Sequence, residues 1–183
     1  MASIPVLGRA AYRRLNALTA VRSRLADLPA DATPGAALKL VATTLISTVG
    51  GASGPLLGTA YLKGSAALGD ATELDSEALV AFLTAARDGV VLRGKAEAGD
   101  KTMVDAWTPA VEAAAAAQAD GGDAAAVLAA AAGAAEQGAA ATEPLVARKG
   151  RASYLGERAV GHRDPGAQSS AYQLRAAADA ARG

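Results

Sequence analysis

The chain has 183 residues, with 18 basic and 18 acidic side chains, one histidine and no cysteine. Zero formal charge leaves no global field to steer it to nucleic acid or an anionic membrane, and the missing thiols exclude disulfides and thiolate metal sites. Aromatic residues make up 3% of a chain dominated by alanine, the best helix former, and β-branched residues never alternate as in strands; the fold class is all-α.

One domain is the default at this length. No apolar run approaches the roughly 18–20 residues that a membrane span needs. The N-terminus lacks the long apolar stretch of a secretory signal, so a cytoplasmic location is expected.

Residues 4–28 read as one amphipathic helix with Arg13, Arg14, Arg22 and Arg24 in solvent, broken by the stretch Pro29 to Pro34. A second helix starts at Pro34, with Thr33 as N-cap, and carries the stripe Leu38, Val41, Leu45 and Val49. It stops at Gly50-Gly51, and GGASGP leads into a helix from about Pro55 to Leu68. That corner allows two readings: a helix N-terminus whose free N–H groups suit a phosphate, or a plain turn in which Ser53 caps the helix.

Asp75 caps a helix to about Leu92, with Leu79, Phe82, Leu83, Ala86 and Val90 on one face. The following GVVLRGK resembles part of a phosphate-binding loop. However, Ala96 stands where a magnesium-binding hydroxyl belongs and the segment ends a helix, so Gly94 reads as a helix terminator. After the polar stretch GKAEAGDKT, a helix runs from about Met103 to Ala119 with Trp107 and Val111 in the core. Asp123 caps a scaffold helix to about Ala141, and a last helix spans about Gln168 to Arg182 with Ala171, Leu174 and Ala178 inward. The count is seven helices, with no tandem repeat.

Between the last two helices, RKGRASYLGERAVGHRDPGAQSS (Arg148 to Ser170) changes composition from packing to ligand handling. Arg148, Lys149, Arg151, Arg158, His162 and Arg163 stand there against Glu157 and Asp164, and four glycines and Pro165 oppose a plain helix. Guanidinium groups on a flexible segment match phosphate oxygens; a solvated basic loop is the other reading.

This segment resembles the C-terminal signature of the DhaL-type, nucleotide-binding subunit of dihydroxyacetone kinase. STVGGASGPLLGTAYLKGSAAL (Ser47 to Leu68) and RGKAEAGDKTMVDAWTPAVEA (Arg93 to Ala113) follow the family order too. The likeness covers roughly Pro34 to Ala181, which divides the chain into a divergent helix and linker (1–33) and a DhaL-like nucleotide-binding helical domain (34–183). It implies an all-α antiparallel up-and-down helix barrel or bundle, a ring of eight helices in the family against about seven here, binding ADP or ATP at one end. Ala52, Ser53, Gly94, Met103, Arg151, Asp164, Pro165 and Gly166 match the cofactor-binding positions, with Met103 against adenine, Arg151 on phosphate and the DPG turn at sugar or base.

The family also holds Mg²⁺ through an early Gly- and Asp-rich loop that has no counterpart here. Asp27 and Asp31 are not promoted to ligands, no metal residue is assigned, and the chain is expected to begin just after that loop. The implied function is a phosphotransferase subunit passing a phosphoryl group to dihydroxyacetone on a DhaK-like partner. Its donor would be ATP or a DhaM-like phosphotransferase-system protein, and its activity would be impaired by the lost metal site. A homodimer is left open, and neither nucleic acid nor a membrane is expected as partner. The alternatives are a non-catalytic nucleotide-binding or regulatory module and a bare helical interaction protein. His162, the sole histidine, reads as a loop hydrogen-bonder.

Overall fold

The computed structural model describes residues 9–182, so residues 4–8 of the first expected helix, and the side chains of Arg13 and Arg14, lie outside the described residues. Seven α-helices follow: α1 (Arg9–Ala26), α2 (Pro34–Thr48), α3 (Ser53–Leu68), α4 (Ser76–Gly94), α5 (Val104–Ala119), α6 (Ala124–Ala141) and α7 (Pro165–Ala180). A 3₁₀ helix, η1 (Arg151–Ala159), precedes α7, and no strand occurs among the described residues. Each α-helix packs on the next, as in an up-and-down bundle, through short connections except between α6 and α7, where residues 142–164 with η1 intervene. α5 also meets α7, and the Tyr61 hydroxyl of α3 donates to Gln173 of α7 at 2.8 Å.

The caps act where composition places them. Thr33, Asp75 and Asp123 accept from Ala36, Ala78 and Ala126, which satisfies orphan N–H groups at the starts of α2, α4 and α6. Trp107, Leu83, Val90 and Val127 are fully buried in one core that runs from Leu45 to Ala178. On α2 the buried face centres on Ala42 and Leu45, with Val41 and Val49 partly buried beside it.

Small residues let the axes approach closely. α6 reads as featureless alanine, yet a Cβ on Gly138 would stand 2.1 Å from the Asp105 carbonyl oxygen and 2.9 Å from Pro109 Cγ. Pro109, inside α5, has no N–H to give that carbonyl, and Gly138 packs at the gap. α6 is also 18 residues long with a mean hydropathy of 1.2, so by length and composition it passes as a membrane span, contrary to the expectation that no run would. In the fold it presents Val127, Leu128, Ala131, Ala135 and Ala139 to the core and packs on α5 and α7.

Three boundaries differ from expectation. α7 begins at Pro165, with Asp164 as its N-cap, so the DPG turn is the start of a helix and not a free turn. Gly94 is the last helical residue of α4, but Lys95 takes the left-handed conformation (φ 48°). The basic segment is not loop throughout: η1 takes nine of its residues, broken where Gly156 turns to φ 54°, and α7 takes those from Pro165 on.

Candidate functional site

A cavity of about 870 Å³ opens where the start of α3, the end of α4, the 97–103 loop and the start of α7 meet under the basic segment. Ala52, Ser53, Gly94, Met103, Arg151, Asp164, Pro165 and Gly166 all line it. The glycine corner and the cationic segment, about a hundred residues apart in sequence, therefore share one cavity. They also touch: a Cβ on Gly51 would stand 3.0 Å from Arg151 Nη2.

The corner is an open helix end. Ala52 is the N-cap residue, no side chain caps α3, and Ser53 is its first helical residue and not the cap that the plain-turn reading requires. Pro55 has no N–H and Gly54 is buried outside the lining, so the N–H of Ser53 and the positive end of the helix dipole are what the start of α3 offers on the cavity side. Gly54 is obligatory here for a steric reason, since its Cβ would stand 2.1 Å from the Val49 carbonyl oxygen.

Around this end the lining divides by chemistry. Val49, Leu56, Val90, Ala96, Met103 and Val104 give an apolar wall, while Arg93, Lys149 and Arg151 add exposed cations. Met103 is 5% exposed and would lie 3.5 Å from a Cβ on Gly166, so it joins the start of α7 to the start of α5. Of the basic segment, residues 149–152 and 164–166 reach the cavity, so Lys149 and Arg151 are its cations there. Arg163 instead contacts Glu143 at 3.5 Å and Gln168 at 3.1 Å, and Arg148, Arg158 and His162 lie outside the lining.

Asp164 is the one carboxylate of the lining. Its Oδ2 accepts from Ala167 N at 2.7 Å, and its own N–H donates to Thr142 Oγ1 at 2.9 Å. Burial holds its pKa above the ordinary 3.8, with Asp105 adding to the rise and the hydrogen bonds from Ala167 and Gly166 and the charge of Lys101 opposing it.

Sequence reasoning missed Lys101, which is 2% exposed and adopts φ 61°. Its ammonium donates to three carbonyls: Ala159 at 2.6 Å, Leu145 at 2.9 Å and Glu143 at 3.3 Å. In the sequence it sits in a polar loop and reads as solvated, because main-chain acceptors 42 to 58 residues away leave no side-chain signature.

A single carboxylate, already capping a helix, does not fit a magnesium cage, and no three His, Asp or Glu side chains gather elsewhere among the described residues. Asp27 lines a separate shallow groove with Arg24, Lys39 and Thr43 between α1 and α2, and neither it nor Asp31 lines the cavity. A nucleoside diphosphate fits the lining better: an apolar wall for a base, a cationic rim and an open helix end for phosphates.

The model of the DAK2 domain matches residues 14–179. The chain belongs to the DAK2 domain family. This DAK2 chain is 45% identical over 153 residues to the ADP-binding subunit DhaL of the PEP-dependent dihydroxyacetone kinase of Escherichia coli K12, covering 84% of this chain and 73% of that protein. It is likewise 45% identical over 143 residues to the ADP-binding subunit DhaL of PEP-dependent dihydroxyacetone kinase 1 of Listeria innocua, covering 78% of this chain and 65% of that protein. In three dimensions it resembles the crystal structure of the dihydroxyacetone kinase of C. freundii in its native form. The TM-score there is 0.62 at 26% identity, over 90% of this chain and 28% of that one. The DAK2 match begins inside α1, ahead of the Pro34 start read from the motifs.

Proposed function

We propose that the chain is the ADP-binding phosphotransferase subunit of a dihydroxyacetone kinase. It would carry the phosphoryl group to dihydroxyacetone held by a separate DhaK-like subunit, in the cytoplasm. The observation that carries this reading is the meeting of Arg151 with the Gly51 corner over one cavity, in a chain whose curated relatives are named as ADP-binding subunits. Those names also disfavour a purely non-catalytic module, and they point to a phosphorylated donor protein, of DhaM-like type, ahead of free ATP.

Each group has a task in this reading. The base lies on Met103 and the apolar wall, and the start of α7 from Asp164 to Gly166 borders the sugar. The start of α3 at Ala52 and Ser53 faces the phosphate oxygens, and Arg151 supplies a bidentate cation from the other side. Phosphoryl transfer depends on positioning and charge stabilisation. Magnesium would supply that neutralisation when bound, but the described lining offers it no cage, so these residues by themselves bind nucleotide better than they transfer phosphate.

Isothermal titration with ADP tests the proposal. The wild-type chain binds, and Arg151→Glu weakens binding by about tenfold or more, the scale of one lost charge-assisted hydrogen bond. Absence of ADP binding, or an Arg151→Glu variant that binds as tightly as wild type, refutes it.

A further inference from the structure

We infer that Lys101 is a positioning residue: its buried ammonium sets the Arg151-bearing segment in register over the cavity by clamping both ends of that segment at once. The inference rests on the nucleotide reading above. Residues 146–158, which contain Lys149 and Arg151, lie between the clamped carbonyls of Glu143 and Leu145 on one side and Ala159 on the other. Within that stretch the hydrogen bonds that leave it are few. Arg148 N donates to Asp100 O at 3.0 Å, while Ser153 bonds only to neighbouring Gly150 O. Arg148 is thus tied to Asp100 and the flanking carbonyls to Lys101, two or three residues before Met103 on the opposite wall, while Gly161 N donates to Glu143 O at 2.8 Å and closes the base of the segment without fixing it to that wall.

Simple space filling would not call for this residue. A lysine is almost never fully buried unless paired, and here no carboxylate bonds the ammonium; its three donors meet three neutral carbonyls. It is also held at φ 61°, an unfavourable conformation for a residue with a Cβ. An apolar side chain on relaxed backbone would fill the volume at lower cost but would fix no register. Because all three donors are used, Lys101 cannot hydrogen-bond a ligand without releasing the segment, so its effect on nucleotide runs through Arg151.

The experiment is a double-mutant cycle on the full chain, with Lys101→Met and Arg151→Ala, read by ADP titration and by tryptic nicking at Arg148, Lys149, Arg151 and Arg158. Lys101→Met is expected to weaken ADP on the order of tenfold and to speed nicking in the segment, and Arg151→Ala then costs little more. Arg175→Ala, which breaks the exposed α6–α7 pair with Glu136, calibrates general destabilisation and leaves nicking in the segment near the wild-type rate. Where Lys101→Met does not fold, Lys101→Gln, with two donors of shorter reach, takes its place in the cycle. Additive losses in ADP affinity, or unchanged nicking in the Lys101 variant, overturn the inference. If Arg151→Ala is silent in the wild-type background, the nucleotide reading is what fails, and the nicking comparison still decides whether Lys101 holds the segment.

Discussion

Substituting alanine at Gly51 separates backbone strain from interference with the proposed phosphate site. Gly51 has φ 77°, and Gly121, between α5 and α6, has φ 83°. A side chain at either position meets the left-handed penalty of about 1–2 kcal/mol, partly offset by the roughly 0.4–1 kcal/mol that alanine removes from unfolded-chain entropy. Both variants should therefore lose about 1 kcal/mol, a fall in Tm of about 2–4 °C for a chain of this size. They differ in what the new methyl meets: open space within 4 Å at Gly121, but Arg151 Nη2 at 3.0 Å at Gly51. Arg151 is exposed and its tip can move, so the clash adds little to unfolding and shifts the guanidinium instead. A charge-assisted hydrogen bond contributes about 1.5–3 kcal/mol, and a tip that partly readjusts forfeits the lower end, which is about tenfold in Kd. Thermal melts paired with ADP titration read both quantities. Equal ADP affinity in the two variants, at matched melting shifts, would refute the placement of Arg151 on the phosphates.

In α6, Gly138→Ala should destabilise by about 2–3 kcal/mol because its Cβ meets the Asp105 carbonyl, whereas Gly133→Ala, with nothing within 4 Å, should stabilise by about 0.5–1 kcal/mol; denaturant titration of both checks the opposite signs. Asp164 has a folded-state pKa raised above 3.8, so the stability it contributes is full below that value and is lost as pH rises through its folded pKa. Asp164→Asn, which keeps an oxygen for Ala167 N and stays neutral, should accordingly melt close to wild type at acid pH and gain on it toward neutrality, in melts at a series of pH values. Tyr61, pushed up to about 12 by burial, should give a phenolate absorbance step near that pH that disappears in Tyr61→Phe.

The parts of the fold legible in the sequence were those with local causes. Thr33-Pro34, Asp75 and Asp123 announce helix starts because a capping oxygen and its N–H partner lie three residues apart. The same signal stood at Asp164-Pro165 and passed for a turn, because the glycines around it outweighed one cap. η1 escaped because a 3₁₀ turn has no 3.6-residue period and Gly156 interrupts it. The site residues came from the family resemblance; the residues alone left the glycine corner and the basic segment each with two readings. Lys101 and Gly138 were illegible for another reason. Their partners are main-chain carbonyls far along the chain, and a carbonyl is present at every residue whatever its side chain.

Charge distribution, more than charge content, marks the site. The whole chain is formally neutral, yet the cavity lining holds Arg93, Lys101, Lys149 and Arg151 against Asp164 alone, a local surplus of three positive charges. Not all of that surplus acts equally on an anion. Lys101 contributes charge but no free donor, and Arg93, Lys149 and Arg151 are exposed, where water and salt reduce an ion pair to about 0–1 kcal/mol. The N–H groups at the start of α3 are differently placed: they sit on a packed helix whose Gly54 is locked under Val49, so they need no ordering when a phosphate arrives. In the proposed nucleotide site, fixed backbone donors would therefore set where the phosphates lie. The exposed cations would deepen that well only when the segment carrying Arg151 is held in place, which would make the connection through Asp100 and Lys101 as consequential for binding as any residue proposed to touch the nucleotide.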